Sequence, residues 1–145
     1  MKKGLAVLRF QLPAEKRLVH EQMIPIRWGD MDAFGHVNNT VYFRYMEIMR
    51  IDWLQQRLGK LDGAEGPVIV NAFCNFLRQL SFPGDVLARM YVGRVGDTSV
   101  DTYVTMALSD APDTVCAEGG ARMVWVRYAD QKSVSLPATL RALLS

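Results

Sequence analysis

The sequence predicts an α+β fold in which one long helix packs on one face of a single antiparallel sheet. Three observations carry this. Apolar residues recur three and four apart over Thr40 to Leu58, which is the period of a helix. One strand-like segment precedes that stretch and four follow it. The connections among the four are tight turns, which favour antiparallel neighbours.

At 145 residues the chain has the length of one domain. A domain of that size buries roughly 70% of the surface its unfolded chain exposes, so it needs no staples. Half of the residues are hydrophobic and 22% are charged, a globular composition. There is no internal repeat and no low-complexity tract. Residues 1–19 read as an N-terminal arm or an extra strand, with Leu5 to Leu12 as its apolar part and Pro13 near its end. Residues 20–145 read as the single domain.

The segment Met23 to Trp28 alternates as a strand does. Pro25 lacks a backbone donor, which places this strand at an edge or on a bulge. A polar loop, Gly29 to Asn39, follows. In the helix, Tyr42, Tyr45, Met46, Met49 and Trp53 form an apolar stripe that Val41, Ile48, Leu54 and Leu58 widen. A helix apolar around so much of its circumference is largely buried, and a sheet must curve about it. Asn38, Asn39 or Thr40 can cap its start and Gly59 can end it.

Beyond the link Asp62 to Pro67, the residues Val68, Val70, Ala72, Cys74 and Phe76 read as one apolar strand face. Pro83-Gly84-Asp85 turns the chain. Val86, Ala88, Met90 and Val92 form the next face, and Gly96-Asp97 is a hairpin signal. Val100, Thr102, Val104, Met106 and Leu108 follow. Ala111-Pro112-Asp113 turns again before Val115, Ala117, Ala121, Met123 and Trp125. Pro137 to Leu144 has the makings of a last helical turn or two.

Several function classes are excluded. A net charge of +2 with no basic stripe argues against nucleic acid. Cys74 and Cys116 have no CxxC spacing and sit in apolar runs, so they read as core residues rather than metal ligands or a disulfide. The apolar run after Lys2-Lys3 is short and broken by Arg9, which does not fit a signal peptide. No stretch approaches the ~20 apolar residues of a membrane span. The cytoplasm is the compartment expected by default.

The loop Arg27-Trp28-Gly29-Asp30-Met31-Asp32-Ala33-Phe34-Gly35-His36-Val37-Asn38-Asn39 concentrates reactive side chains between a strand end and a buried helix. It carries two carboxylates, a histidine and two asparagines. Thioester hydrolysis needs a carboxylate or similar base to activate water or attack the carbonyl. It also needs donors for the oxyanion, and a helix N-terminus offers free N–H groups and partial positive charge.

The run Gly29 to Asn39, followed by Tyr42, Tyr45, Glu47 and Arg50, resembles the hot-dog-fold acyl-CoA thioesterases of the 4-hydroxybenzoyl-CoA thioesterase type. The resemblance covers about residues 20–130. It implies a curved antiparallel sheet wrapped around one long central helix, and assembly as a homodimer or homotetramer with active sites at subunit interfaces. It implies an acyl-CoA substrate, with coenzyme A part of that substrate, and neither a metal nor a further cofactor. The second aspartate of the family's G-D-x-D run is catalytic, which is Asp32 here, as nucleophile or general base. The family's oxyanion donor, a backbone N–H at the helix start, falls near Asn39. The Gly-His-Val-Asn-Asn string of residues 35–39 is absent from the 4-hydroxybenzoyl-specific enzymes, so the aromatic substrate does not carry over.

Each candidate also has a plainer reading. Asp32 could cap a turn, and Asp30 suits a purely structural role. His36 is a catalytic candidate that orients substrate or polarises the carbonyl, or else only holds the loop by hydrogen bonds. Asn38 and Asn39 are good caps, and Asn38 is a candidate substrate contact. Glu47, with Arg44 and Arg50 three residues away, could be an ion-pair ladder, or an acid supporting catalysis as the resemblance suggests. Tyr42, Tyr45 and Trp53 read as core, with Tyr42 also a candidate on the substrate side. Arg94 and Ser99, flanking the Gly96-Asp97 hairpin, are candidates for coenzyme A contact, though no glycine-rich phosphate loop supports them. A hot-dog hydratase or dehydratase using His36 and Glu47 is the alternative chemistry. A non-catalytic acyl-CoA-binding protein is the alternative without chemistry.

Overall fold

Local signals set the long helix. In the computed structural model, which describes residues 10–145, the Asn38 side-chain oxygen accepts the Thr40 N–H at 2.9 Å. That satisfies one of the free donors at a helix start. Helix α1 then spans Asn39–Leu58 and stops at Gly59, whose φ of 73° is open to glycine at no steric cost. Tyr42, Tyr45, Met46, Met49, Trp53 and Leu54 are its buried residues, the stripe expected from the spacing.

The strands are β1 (Arg17–Pro25), β2 (Glu65–Phe76), β3 (Asp85–Val95), β4 (Ser99–Leu108), β5 (Val115–Arg127) and the two-residue β6 (Lys132–Ser133). They form one antiparallel sheet in the order β1-β3-β4-β5-β2, with β6 added to β5. Val86, Ala88, Met90 and Val92 on β3 are buried, as are Val100, Thr102, Val104 and Met106 on β4. These faces meet α1 and make the core with Met123 and Trp125 of β5.

At Gly119 of β5 the helix presses on the sheet. A Cβ there would lie 2.5 Å from the Phe73 carbonyl oxygen and 2.6 Å from Met46 Sδ. Only glycine admits that approach, so Met46 fills the space a side chain would take.

Two strands depart from the expected pattern. The first strand ends at Pro25, not Trp28, because the Arg27 N–H is taken by the Asp30 carboxylate and Trp28–Asp30 forms a 3-10 turn. In β2 the register shifts between Ile69 and Asn71. That bulge splits the predicted face. Pro67 and Ile69 oppose Trp125 and Met123, and Ala72 and Cys74 oppose Ala121 and Gly119. Val68 pairs with Val124 on the other face, and Val70 is the extra residue, 57% exposed.

Residues 1–9 of the predicted arm lie outside the described residues. Phe10 to Lys16 has no regular structure and lies over the outer face of the sheet, with the Phe10 and Phe73 ring centroids 5.3 Å apart and Lys16 Nζ 5.3 Å from the Tyr91 ring. Arg17 to Val19 belongs to β1, three residues ahead of the expected boundary. At the C-terminus, helix α2 (Ala138–Leu144) buries Leu140 and Leu144. No helix among the described residues is long and apolar enough to cross a membrane.

Candidate active site

The loop between β1 and α1 is a small ladder. The Asp32 N–H donates to the His36 carbonyl at 2.9 Å, Met31 bridges Val37, and the Asn38 N–H donates to the Asp30 carbonyl at 3.0 Å. Asp32-Ala33-Phe34-Gly35 closes the ladder as a turn, with the Gly35 N–H donating to the Asp32 carbonyl at 3.1 Å. Asp at the first position and Gly at the fourth are what such a turn favours. Gly35 has φ of 81°, which a side chain would resist.

This geometry separates the two carboxylates. Asp30 is tied into the structure through one oxygen: its Oδ2 accepts the Arg27 N–H at 2.9 Å and the Tyr45 hydroxyl at 2.8 Å. Burial first, and then the Asp30 carboxylate, push the Tyr45 phenol well above its ordinary range. Asp32 is half-buried, and its Oδ1 accepts the Phe34 N–H at 2.9 Å. That bond leaves the second oxygen as the available one.

The helix start lies close by. Asn38 is consumed as the cap, its Oδ1 accepting both the Thr40 N–H and the Thr40 hydroxyl, the latter at 2.7 Å. The Asn39 N–H, at the first helical position, meets no acceptor among the described residues. It therefore points outward with the positive end of the helix dipole. His36 is half-buried directly across the ladder from Asp32.

A second loop, residues 77–84, braces the first. The Val37 N–H donates to the Leu80 carbonyl at 2.8 Å, the Ser81 hydroxyl to the Gly35 carbonyl at 3.0 Å, and the Ile26 N–H to the Gly84 carbonyl at 2.9 Å. Tyr42 belongs to this brace. It is 3% exposed, its ring meets Phe76 edge-on, and its hydroxyl accepts the Leu80 N–H at 3.2 Å. Its ring is packed in the core and its one polar atom holds a loop. Burial raises its phenol as well.

Asp32, His36, Asn38 and Asn39 thus lie on one braced loop and the helix start that follows it, Asp32 facing His36 across the ladder. Glu47, Arg94 and Ser99 do not join them there. Glu47 lies eight residues beyond Asn39, about 12 Å along the helix axis, and its carboxylate pairs with the exposed Arg44 guanidinium. This is the surface ion pair of the plainer reading. Arg94 ends β3 and Ser99 begins β4, at the hairpin closed by the Gly96 N–H and the Ser99 carbonyl. The Asp32 loop neighbours the start of β3, so the length of that strand, roughly 30 Å, separates the hairpin from it. The sequence could not show this, because a hairpin signal does not say at which end of a sheet it will lie. What the sequence reading missed is the pair Tyr45 and Leu80, both apolar in pattern yet holding the loop through polar atoms.

Comparison with known proteins agrees with the fold. A family model described as the thioesterase-like superfamily matches residues 26–144. A Bacillus subtilis (strain 168) protein, YsmA, is 31% identical over 116 residues, covering 77% of this chain and 76% of that one. Among solved structures, the PA2801 protein of Pseudomonas aeruginosa, a proposed thioesterase, is 38% identical with a TM-score of 0.86 over 89% of this chain and 100% of its own. A proposed acyl-CoA thioesterase of Xanthomonas campestris is 29% identical with a TM-score of 0.74, over 83% and 100%. The curved antiparallel sheet around α1 is their hot-dog fold. The matched family model, spanning the loop, the helix and strands β2 to β6, identifies the chain as a member of the thioesterase-like superfamily.

Proposed function

We propose that the chain hydrolyses an acyl thioester of coenzyme A, giving a carboxylic acid and the free thiol. The observation that carries this is the pairing of a half-buried carboxylate, Asp32, with the open Asn39 N–H at a helix start on one braced loop. The carbonyl oxygen would sit on the Asn39 N–H, where developing negative charge is stabilised. The Asp32 carboxylate either attacks the carbonyl carbon, forming an anhydride that water then cleaves, or takes a proton from the attacking water. In both routes sulfur leaves as thiolate and is protonated, and the route needs no metal. His36, across from Asp32, would orient substrate.

The proposal extends to assembly. Among the described residues strand β2 is an edge of the sheet, and its Val68, Val70 and Phe76 are 40%, 57% and 46% exposed. Such an edge is a template for pairing with another chain, so a homodimer, or a homotetramer built from it, would place a partner beside this site. Glu47, Arg94 and Ser99 would act only across such an interface, with Arg94 and Ser99 meeting the coenzyme. Both described cysteines are free thiols, which fits the reducing cytoplasm.

The test is thiol release from a panel of acyl-CoAs by the wild type and by Asp32→Asn. Release that falls by orders of magnitude in a folded Asp32→Asn protein supports the assignment. Undiminished release would sink it.

A further inference from the structure

The turn that presents Asp32 carries an aromatic ring at its tip that the fold does not use. Turn tips favour Gly, Asn, Asp and Ser, yet the third residue of Asp32-Ala33-Phe34-Gly35 is Phe34, which is 86% exposed. Its side chain adds almost nothing to the core. Its backbone, by contrast, is fixed, because the Phe34 N–H donates to Asp32 Oδ1 at 2.9 Å and Gly35 completes the turn. The residue that carries the ring is therefore tied to the carboxylate through its backbone N–H.

It has company. Trp28, in the 3-10 turn at the loop's start, is 74% exposed. Phe82 is 42% exposed on the bracing loop, where the Phe82 N–H donates to Met31 Sδ at 3.4 Å. Single exposed apolar residues are ordinary. Here three exposed aromatic residues sit on two mutually bonded loops, one of which carries the Asp32 carboxylate, and exposed apolar surface gathered in one region marks binding sites.

We propose that Phe34 is the wall on which a bulky apolar acyl group packs, and that it sets the enzyme's preference for such groups over short ones. The proposal rests on the thioesterase reading. It follows from adjacency: a thioester carbonyl placed at Asp32 has its acyl chain within reach of the exposed side chain two residues on, whose backbone N–H Asp32 holds. Covering a phenyl ring withdraws apolar area from both surfaces, a gain that grows with each methylene of the acyl chain.

The experiment compares wild type with Phe34→Ala, which keeps the backbone N–H and so the bond to Asp32. Rates on decanoyl-CoA and acetyl-CoA are measured. Calorimetric titrations with S-decyl-CoA, a thioether that cannot be hydrolysed, and with coenzyme A accompany them, together with sedimentation velocity. The expected result is a decanoyl-to-acetyl ratio of kcat/KM about tenfold or more lower in Phe34→Ala. The preference for S-decyl-CoA over coenzyme A should fall in parallel, with the same oligomeric state in both proteins. An unchanged ratio overturns the proposal. So does a uniform loss accompanied by a change of assembly, which would make Phe34 a contact between copies. If the wild type hydrolyses neither ester, the thioesterase reading falls, and the titrations still decide Phe34. A decyl preference present in wild type and lost in Phe34→Ala supports the wall, and its absence in wild type overturns it.

Discussion

The Tyr45 hydroxyl donates to Asp30 Oδ2 at 2.8 Å, joining the second turn of α1 to the loop that carries Asp32. Asp30 returns the link through its own backbone, whose carbonyl accepts the Asn38 N–H at 3.0 Å. Asp30 thereby fixes the loop that carries Asp32.

Removing that hydroxyl should loosen the loop without emptying the core. Tyr45→Phe is expected to cost about 1–3 kcal/mol, as for a hydrogen bond to a charged group, and to lower kcat more than it raises KM. Thermal unfolding alongside steady-state kinetics checks both.

The same contact has a pH signature. The folded phenol lies above the unfolded value of 10.0, because burial and then Asp30 favour its neutral form. Its contribution is complete below about pH 10 and is lost as pH climbs above that. Melting temperatures of wild type should fall between about pH 10 and pH 12, and less steeply in Tyr45→Phe. Equal slopes would show that the phenol's environment does not govern this range.

The helix–sheet approach at Gly119 predicts an intolerant position. Gly119→Ala puts a methyl against the Phe73 carbonyl and Met46 Sδ, and the carbonyl is backbone that cannot rotate away. A loss of about 1–3 kcal/mol is expected. Gly29→Ala, where a Cβ would meet nothing within 4 Å, is the matched control, and denaturant titration of the two compares them.

The β2 edge predicts how assembly can be broken. Val70→Lys places a charge at the bulge of this edge, the device by which edge strands avoid pairing. Sedimentation velocity should show a shift toward monomer. If pairing is required for the site, thiol release should fall with it.

Cysteine reactivity should be silent in the native protein. Burial, with Glu118 adding to it, pushes the Cys74 thiol up to about 12, and Cys116 is 4% exposed. Cys74 is therefore not a thiolate at neutral pH, and Cys116 is shielded from reagent by its burial. A chromogenic thiol reagent should find almost none in the folded chain and both after denaturation, so native cysteines would not mask thiol release from substrate.

The sequence by itself determined what depends on neighbours along the chain. A cap among Asn38, Asn39 and Thr40, the Gly59 stop, the alternation of β3, β4 and β5 and the polar, glycine-containing loop before the helix each need only a few consecutive residues, and the structure selects Asn38 as the cap. The candidates Asp32, His36, Asn38 and Asn39 were legible together because one loop holds them all. Tertiary structure alone decided the rest. Tyr42 and Tyr45 are apolar in period, yet their hydroxyls find Leu80, 38 residues away, and Asp30, 15 residues away. The β2 bulge appears only once β5 fixes the register, and it turns Val68 outward where alternation had turned it in. Arg94 and Ser99 lie beyond reach of Asp32 because strand direction, not spacing, places the hairpin. Periodicity reports which face of an element is apolar; it is the packing of elements that determines which atoms that face will meet.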